Sequence, residues 1–592
     1  HCISSAASDV YKRQRHYKYR AEGIYMEFKE QDLLAYACDK FEQNKYDEAL
    51  ETFVLLYTRG YEKEWIRQNI YQCYVNCNDE EFRQTFESNI NGTKIKYEDC
   101  SLDFVPYQEG KYYIFDKKEE QFVGVFSTDE LIAATSDTLL QKMEFSAVTL
   151  GIEWDWRSIF SILTQANVRK IYMVCEDLKR GASFFKIPEL REYLKNIWLF
   201  ENVENMQRFF HENTSQYLPG IWYGDVEKKA KFEQMIQQEH QYRLTPQGRN
   251  ADNVLLTIAI PSYHRGHLLK QRIENLQNLP YDAEIEFVVS KNGTDVYQKE
   301  YDEVSQIKDS RLIYFDHKKD LKYEVNWHYA VEMSHGKYVL LVSDEDDIVL
   351  DKVEHYFALF RDFSDISLLR AKTKTMGCLT TQRVYGEKGF EAFKNCFLKQ
   401  NYISGLIFRR KDFLESDLLK LEKYSDNVFY QTYPHEWWCA EMNKKGAYLE
   451  EPVVLIEEKT SMAKEEWGYD KEVDENTIIP SYATYEARLE QAKGEVEFLH
   501  IMIKDDADML EYGMDAIIRK ANWLLGIARM RKYDIEHYEM RLREYVEICM
   551  KAIMDLQLDG ERTKRLLECL QTSYIDLLKE HSDLIENEKM NV

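Results

Sequence analysis

From residue 26 to about 91, apolar positions fall three and four residues apart: Leu33, Leu34, Ala37 and Phe41, then Ala49, Leu50, Phe53 and Leu56. That spacing lines one face of a helix. Helices are therefore predicted on either side of the break at Asn44, Lys45 and Tyr46, with a third over residues 65–77. Between about 94 and 245 the pattern shortens. The runs at 111–115, 122–126, 147–151 and 171–175 read as strands, and helical stretches at 159–166 and 187–194 fall between or after them. This mixture predicts a small α/β domain. A third pattern starts at Asn253, where an apolar strand ends in Pro261-Ser262-Tyr263 and a helix follows through Leu268, Ile273 and Leu276. Strands at 284–289 and 312–315, a helix around 326–333 and a buried strand at 337–343 complete it. From about 480 onward, apolar stripes such as Leu489, Val496, Leu499 and Met502, and later Leu542, Tyr545, Val546, Cys549 and Ile553, predict helices. The heptads do not persist, so a bundle is expected rather than a coiled coil.

A chain of 592 residues with 44% hydrophobic content exceeds what one core can hold, since cores stop growing at roughly 250 to 300 residues. The expected architecture is multidomain α/β. Residues 1–25 form a non-native or disordered leader, 26–93 are helical, 94–245 make a small α/β domain, 250–465 a larger one and 480–592 a helical region. The leader has no periodicity and no Met before Met26, the expected start. The hairpin across residues 44–50 resembles a tetratricopeptide-type repeat, and a plain helical cap fits it equally well. A net charge of -26 argues against nucleic acid or an anionic membrane surface as a partner. Eleven cysteines without a CxxC pair argue against a zinc site and for free thiols. No run of about 18 apolar residues appears, so no membrane span is predicted and the expected location is the cytoplasm.

Chemistry concentrates where the strands of 250–465 end. In α/β sheets, ligands bind beyond the carboxyl ends of the strands. The strand at 337–343 runs straight into Asp344-Glu345-Asp346-Asp347, four acids whose mutual repulsion a hard divalent cation such as Mg²⁺ or Mn²⁺ would relieve. Such an ion takes one or two carboxylates and fills its remaining positions with phosphate and water.

Taken in order, IAIPSYHR, FVVSKNGTD, the helix carrying Asn326, HGKYVLLVSDEDD and YPHEWW resemble a family 2 glycosyltransferase of GT-A fold. The branch is similar to abequosyltransferases and other surface-polysaccharide transferases, and the resemblance covers about a third of the chain. It implies inverting, hexosyltransferase-type transfer of a sugar from a nucleotide-diphosphate donor to a hydroxyl of a glycan, lipid-linked or protein acceptor. It places Pro261, Tyr263 and Arg265 in the nucleotide pocket and Asn326 beside it. Ser290 stands where the family often has Asp, followed by Lys291, which leaves Asn292 as the candidate hydrogen-bonding partner. Asp344 and Asp346 take the DxD positions as metal residues, Asp346 as direct ligand, Asp344 also on the ribose side, with Asp347 in support. The base is expected about ninety residues beyond, at Glu436 with His435 as competitor. Trp437 and Trp438 either stack on sugars or belong to the core, and Gly405 would let backbone approach the substrate. Two other readings stay open: a non-catalytic interaction protein built on a decayed transferase core, and a sugar-phosphate nucleotidyltransferase, which should carry a Gly-rich basic loop where this chain has residues 261–265. The helical ends are candidate docking sites for a protein partner.

Overall fold

The computed structural model describes residues 29–77, 79–108, 110–128, 148–151, 170–279, 282–293, 297–363, 365–374, 380–400, 402–458, 484–530 and 538–590. The helix predicted at 159–166 and the leader lie outside them. The chain divides into two units, residues 1–213 with 218–239, and residues 214–217 with 240–592.

In the first unit the three-and-four spacing becomes helices α1 (Glu30–Glu42), α2 (Tyr46–Thr58), α3 (Lys63–Asn76) and α4 (Asp79–Asn89). Leu33, Ala37, Ala49 and Phe53 are buried with Ile66, Ile70 and Cys73 in one cluster. Strands β1 (Leu102–Gln108), β2 (Lys111–Asp116) and β3 (Gln121–Ser127) form an antiparallel sheet. Successive strand residues face opposite ways: Val105 and Tyr113 join the helical cluster, whereas Phe104 and Tyr112 join another with Phe184 and Leu199. Strands β4 (Val148–Gly151), β5 (Ile171–Val174), β6 (Ile197–Phe200) and β7 (Ile221–Tyr223) make a parallel sheet in the order β6-β5-β4-β7. The stretch expected as one small α/β domain thus carries two sheets, one of them antiparallel and packed on the N-terminal helices.

The second unit is built on a nine-stranded sheet. Its members are β8 (Leu256–Ser262), β9 (Ile285–Lys291), β10 (Leu312–Asp316), β11 (Tyr338–Leu341), β12 (Asp347–Ile348), β13 (Ile366–Thr373), β14 (Val384–Gly386), β15 (Leu406–Arg409) and β16 (Ala447–Glu457). They run in the order β10-β9-β8-β11-β15-β13-β16-β12, with β14 beside β16. Every residue of β8 and β9 is buried, as a strand covered on both faces requires. Strands β8 to β11 are parallel and connected through α5 (Gly266–Leu276), α6 (Gln298–Ser305) and α7 (Tyr323–Glu332), so their carboxyl ends share one edge. β15 is antiparallel to β11, which brings residues 402–405 beside residues 341–346. The amide of Gly405 donates to Leu341 O at 2.9 Å, and that of Ser343 to Ser404 Oγ at 2.8 Å. Gly405 has φ +92°, and a Cβ there would stand 3.2 Å from Ala371 O. What approaches this glycine closely is the backbone of β13.

Helix α8 (Pro434–Asn443) packs beneath the sheet, followed by α9 (Tyr485–Phe498), α10 (Ala507–Met530), α11 (Tyr538–Asp555) and α12 (Gly560–Met590). The last four form the expected bundle, joined to the sheet domain by one core. Phe393, Phe397, Phe429 and Trp437 share a cluster with Phe498, Met514, Tyr545 and Leu570, and the Trp437 and Phe498 rings lie 4.9 Å apart. Trp437 and Trp438 are fully enclosed, which settles them as core residues. Among the described residues no helix is long and apolar enough to cross a membrane.

Candidate active site

The acidic run follows β11 at the shared edge. Asp344 is buried and fully engaged: Ser262, the last residue of β8, donates to Oδ2 at 2.6 Å, and Arg265 donates to Oδ1 at 3.2 Å. Ser262 Oγ also lies 2.7 Å from the hydroxyl of Tyr301, which accepts from the amide of Arg265. The Pro-Ser-Tyr turn is thereby tied to Asp344. Arg265 reaches Glu345 as well, at 3.3 Å, while its own side chain stays 44% exposed at the mouth of the site. Burial raises the Asp344 carboxyl, and the Ser262 and Arg265 contacts oppose that rise. Asp347 turns away to pair with Arg272 and begin β12.

Asp346 differs. It is 1% exposed; the Tyr402 hydroxyl donates to Oδ2 at 2.6 Å, and Oδ1 has no hydrogen-bond partner. Burial pushes its carboxyl up to about 6, against the hydrogen bond from Tyr402. An enclosed carboxylate oxygen without a donor is costly unless a cation or proton meets it. Among the described residues no three His, Cys, Asp or Glu side chains converge as a metal cage. One free carboxylate oxygen suits an ion that draws its remaining ligands from diphosphate and water.

On the nucleotide side the residues expected to face a ligand meet one another. Ser290 Oγ donates to Asn326 Oδ1 at 2.8 Å and lies 2.8 Å from His317 Nε2. Both amide functions of Asn292 are spent on Leu321, accepting its N–H at 2.7 Å and donating to its carbonyl at 2.9 Å. Lys291 is buried, donating to Asp316, Gln298 and Gly293 O. Pro261 lies within β8 opposite Ser290. Tyr263, by contrast, is 43% exposed, its hydroxyl 3.3 Å from Asp320.

Glu436 and His435 open α8 and are both buried. The amides of Leu398 and Gln400 donate to the two Glu436 oxygens at 3.2 and 2.9 Å, and His435 Nε2 donates to Gln400 O at 2.6 Å. Burial holds the Glu436 carboxyl up at about 7 and pushes the imidazole down to about 3. His435 is therefore neutral at physiological pH, with its proton on Nε2. Sequence reading overlooked Ser262, Tyr301, Tyr402 and Ser404. Ser262 sits inside the PSY turn itself, and Tyr402 and Ser404 lie in the turn directly before β15.

Sheet and site together define an α/β domain with an acidic run beyond the carboxyl end of a central strand. Residues 257–414 match the family described as glycosyl transferase family 2. Over 207 residues it is 24% identical to the uncharacterized glycosyltransferase MJ1057 of Methanocaldococcus jannaschii, a stretch that is 34% of this chain and 69% of that protein. Two solved structures are similar at lower identity. One is residues 1–349 of S. aureus TarS in complex with UDP-GlcNAc, at 11% identity and TM-score 0.36, covering 56% of this chain and 92% of that one. The other is the mannosyltransferase PcManGT of Pyrobaculum calidifontis with GDP-Man and Mn²⁺, at 12% and 0.30, covering 55% and 86%. Likeness this distant leaves the site to be read from the chain's own residues.

Proposed function

We propose that this domain is an inverting glycosyltransferase that moves a hexosyl group from a nucleotide-diphosphate donor to a hydroxyl of a glycan, lipid-linked or protein acceptor. The DEDD run aligns it with the surface-polysaccharide branch. The observation that carries the reading is the unpartnered Oδ1 of Asp346 beyond the carboxyl end of β11. A divalent cation, Mg²⁺ or Mn²⁺, bound there with the donor would supply neutralisation of charge on the leaving diphosphate. Asp344, two residues before Asp346 and fixed by Ser262 and Arg265, is the contact for ribose in this reading. Half-exposed Arg265 offers its guanidinium to the donor phosphates, and Tyr263 offers a ring to the base.

In this reading Glu436 takes the proton of the attacking hydroxyl. A carboxyl held near neutrality can accept a proton at working pH and release it afterwards. The neutral His435 fixes the backbone that Glu436 also holds. The test is hydrolysis and transfer with UDP-, GDP-, CMP- and dTDP-sugars, with and without Mn²⁺. Turnover of at least one donor that disappears on chelation is expected. Absence of turnover and of binding for every donor would refute the proposal.

A further inference from the structure

Tyr402 lies just before β15, and its hydroxyl donates to Asp346 Oδ2 at 2.6 Å. We propose that Tyr402 is the positioning residue of the cation ligand: by occupying Oδ2 it fixes the Asp346 carboxylate so that Oδ1 alone is presented to a divalent ion. This deepens the reading above and rests on Asp346 carrying the ion.

Three observations support it. First, the two oxygens are unequal, Oδ2 held and Oδ1 enclosed without a partner. A near-octahedral ion such as Mg²⁺ is well served by a carboxylate offering one oxygen, whereas an unrestrained carboxylate also samples two-oxygen contact and other rotamers. Second, Asp344 already has a donor on each oxygen, Ser262 on one and Arg265 on the other, whereas Asp346 keeps one oxygen with none. Third, Tyr402 sits on a strip that is itself clamped. Glu436 holds the amides of Leu398 and Gln400, His435 holds the carbonyl of Gln400, and Arg370 donates to the carbonyl of Tyr402 at 2.6 Å. Two residues on, Ser404 accepts the amide of Ser343 and ties this segment to the chain just before the acidic run. The first turn of α8 thus holds residues 398 and 400, close in sequence to the residue that holds the cation ligand.

Groups that orient a metal ligand typically change metal affinity or activity by about 10- to 100-fold when removed. The experiment is Mn²⁺ titration of the full chain with the nucleotide diphosphate selected by the donor screen, followed by electron paramagnetic resonance against a nucleotide-only blank, for wild type, Tyr402→Phe and Asp346→Ala. Tyr402→Phe is expected to weaken Mn²⁺ binding about 10- to 100-fold, with donor turnover restored by raising Mn²⁺. Affinity within twofold of wild type overturns the inference, as does lost turnover that extra Mn²⁺ does not restore. If Asp346→Ala abolishes binding while Tyr402→Phe leaves it intact, only the inference fails. If wild type itself binds no Mn²⁺, the cation reading falls and the inference with it. Thermal unfolding without metal checks the fold. Should Tyr402→Phe be unfolded, Tyr402→His, which keeps an aromatic donor, decides by retaining or losing the affinity.

Discussion

Replacing Glu436 with Gln separates two consequences of burying a carboxyl in α8. The usual carboxyl value is 4.5, and burial raises this one to about 7. At about 1.36 kcal/mol per pH unit, that gap amounts to about 3 kcal/mol. The folded state binds the proton more tightly than the unfolded chain. This contribution is fully present below pH 4.5, is lost as pH rises through about 7, and is gone by about pH 8. Gln does not titrate, but it has a single acceptor for the two amides of Leu398 and Gln400, and its NH₂ must face the other. Leaving one buried amide unsatisfied costs about 1 to 3 kcal/mol. Glu436→Gln should therefore be less stable than wild type by about 1 to 3 kcal/mol near pH 4.5. It should gain about 3 kcal/mol on wild type between there and pH 8. Denaturant unfolding followed by the fluorescence of the adjoining Trp437 reads both. A stability difference that is the same at the two pH values, or that moves in the opposite direction, would refute the argument. Loss of sugar transfer at pH 8, where the variant is at no stability disadvantage, would then report on the proton-accepting role alone.

Two further outcomes follow from the packing. Gly405→Ala, forced to φ +92° with its Cβ 3.2 Å from Ala371 O, should lose about 1 to 3 kcal/mol of stability in thermal or chemical unfolding. Phe498→Ala removes a ring that contacts Trp437, Phe397 and Phe429; it should cost about 3 to 5 kcal/mol and lower the midpoint of the sheet domain together with that of the bundle. Separate transitions, with the sheet domain unmoved, would contradict a shared core.

The strands of the second unit were legible because β8 and β9 are buried on both faces and read as continuous apolar runs, with turn residues at their ends. Asp344 and Asp346 were legible for a related reason, since acids directly after such a run stand out. Tyr402 was not, because its meeting with Asp346 depends on β15 running antiparallel beside β11 across 56 residues of sequence. Local patterning carries no information on that pairing. Ser290, Asn292 and Asn326 were correctly read as strand-end and helix residues, but the sequence could not show that they meet one another. The apolar stripe of α9 announced a helix without saying what covers it; the covering surface is Phe397, Phe429 and Trp437, from the preceding domain.

In the proposed function, Asp346 Oδ1 binds the ion that holds the donor. A structure of the full chain with Mn²⁺ and the nucleotide diphosphate selected by the donor screen tests it most directly. An ion is expected about 2.0 to 2.2 Å from Asp346 Oδ1, with diphosphate oxygens and water completing its shell and the Tyr402 hydroxyl still on Oδ2. A nucleotide bound without an ion at Asp346, or an ion held by other carboxylates, would contradict it.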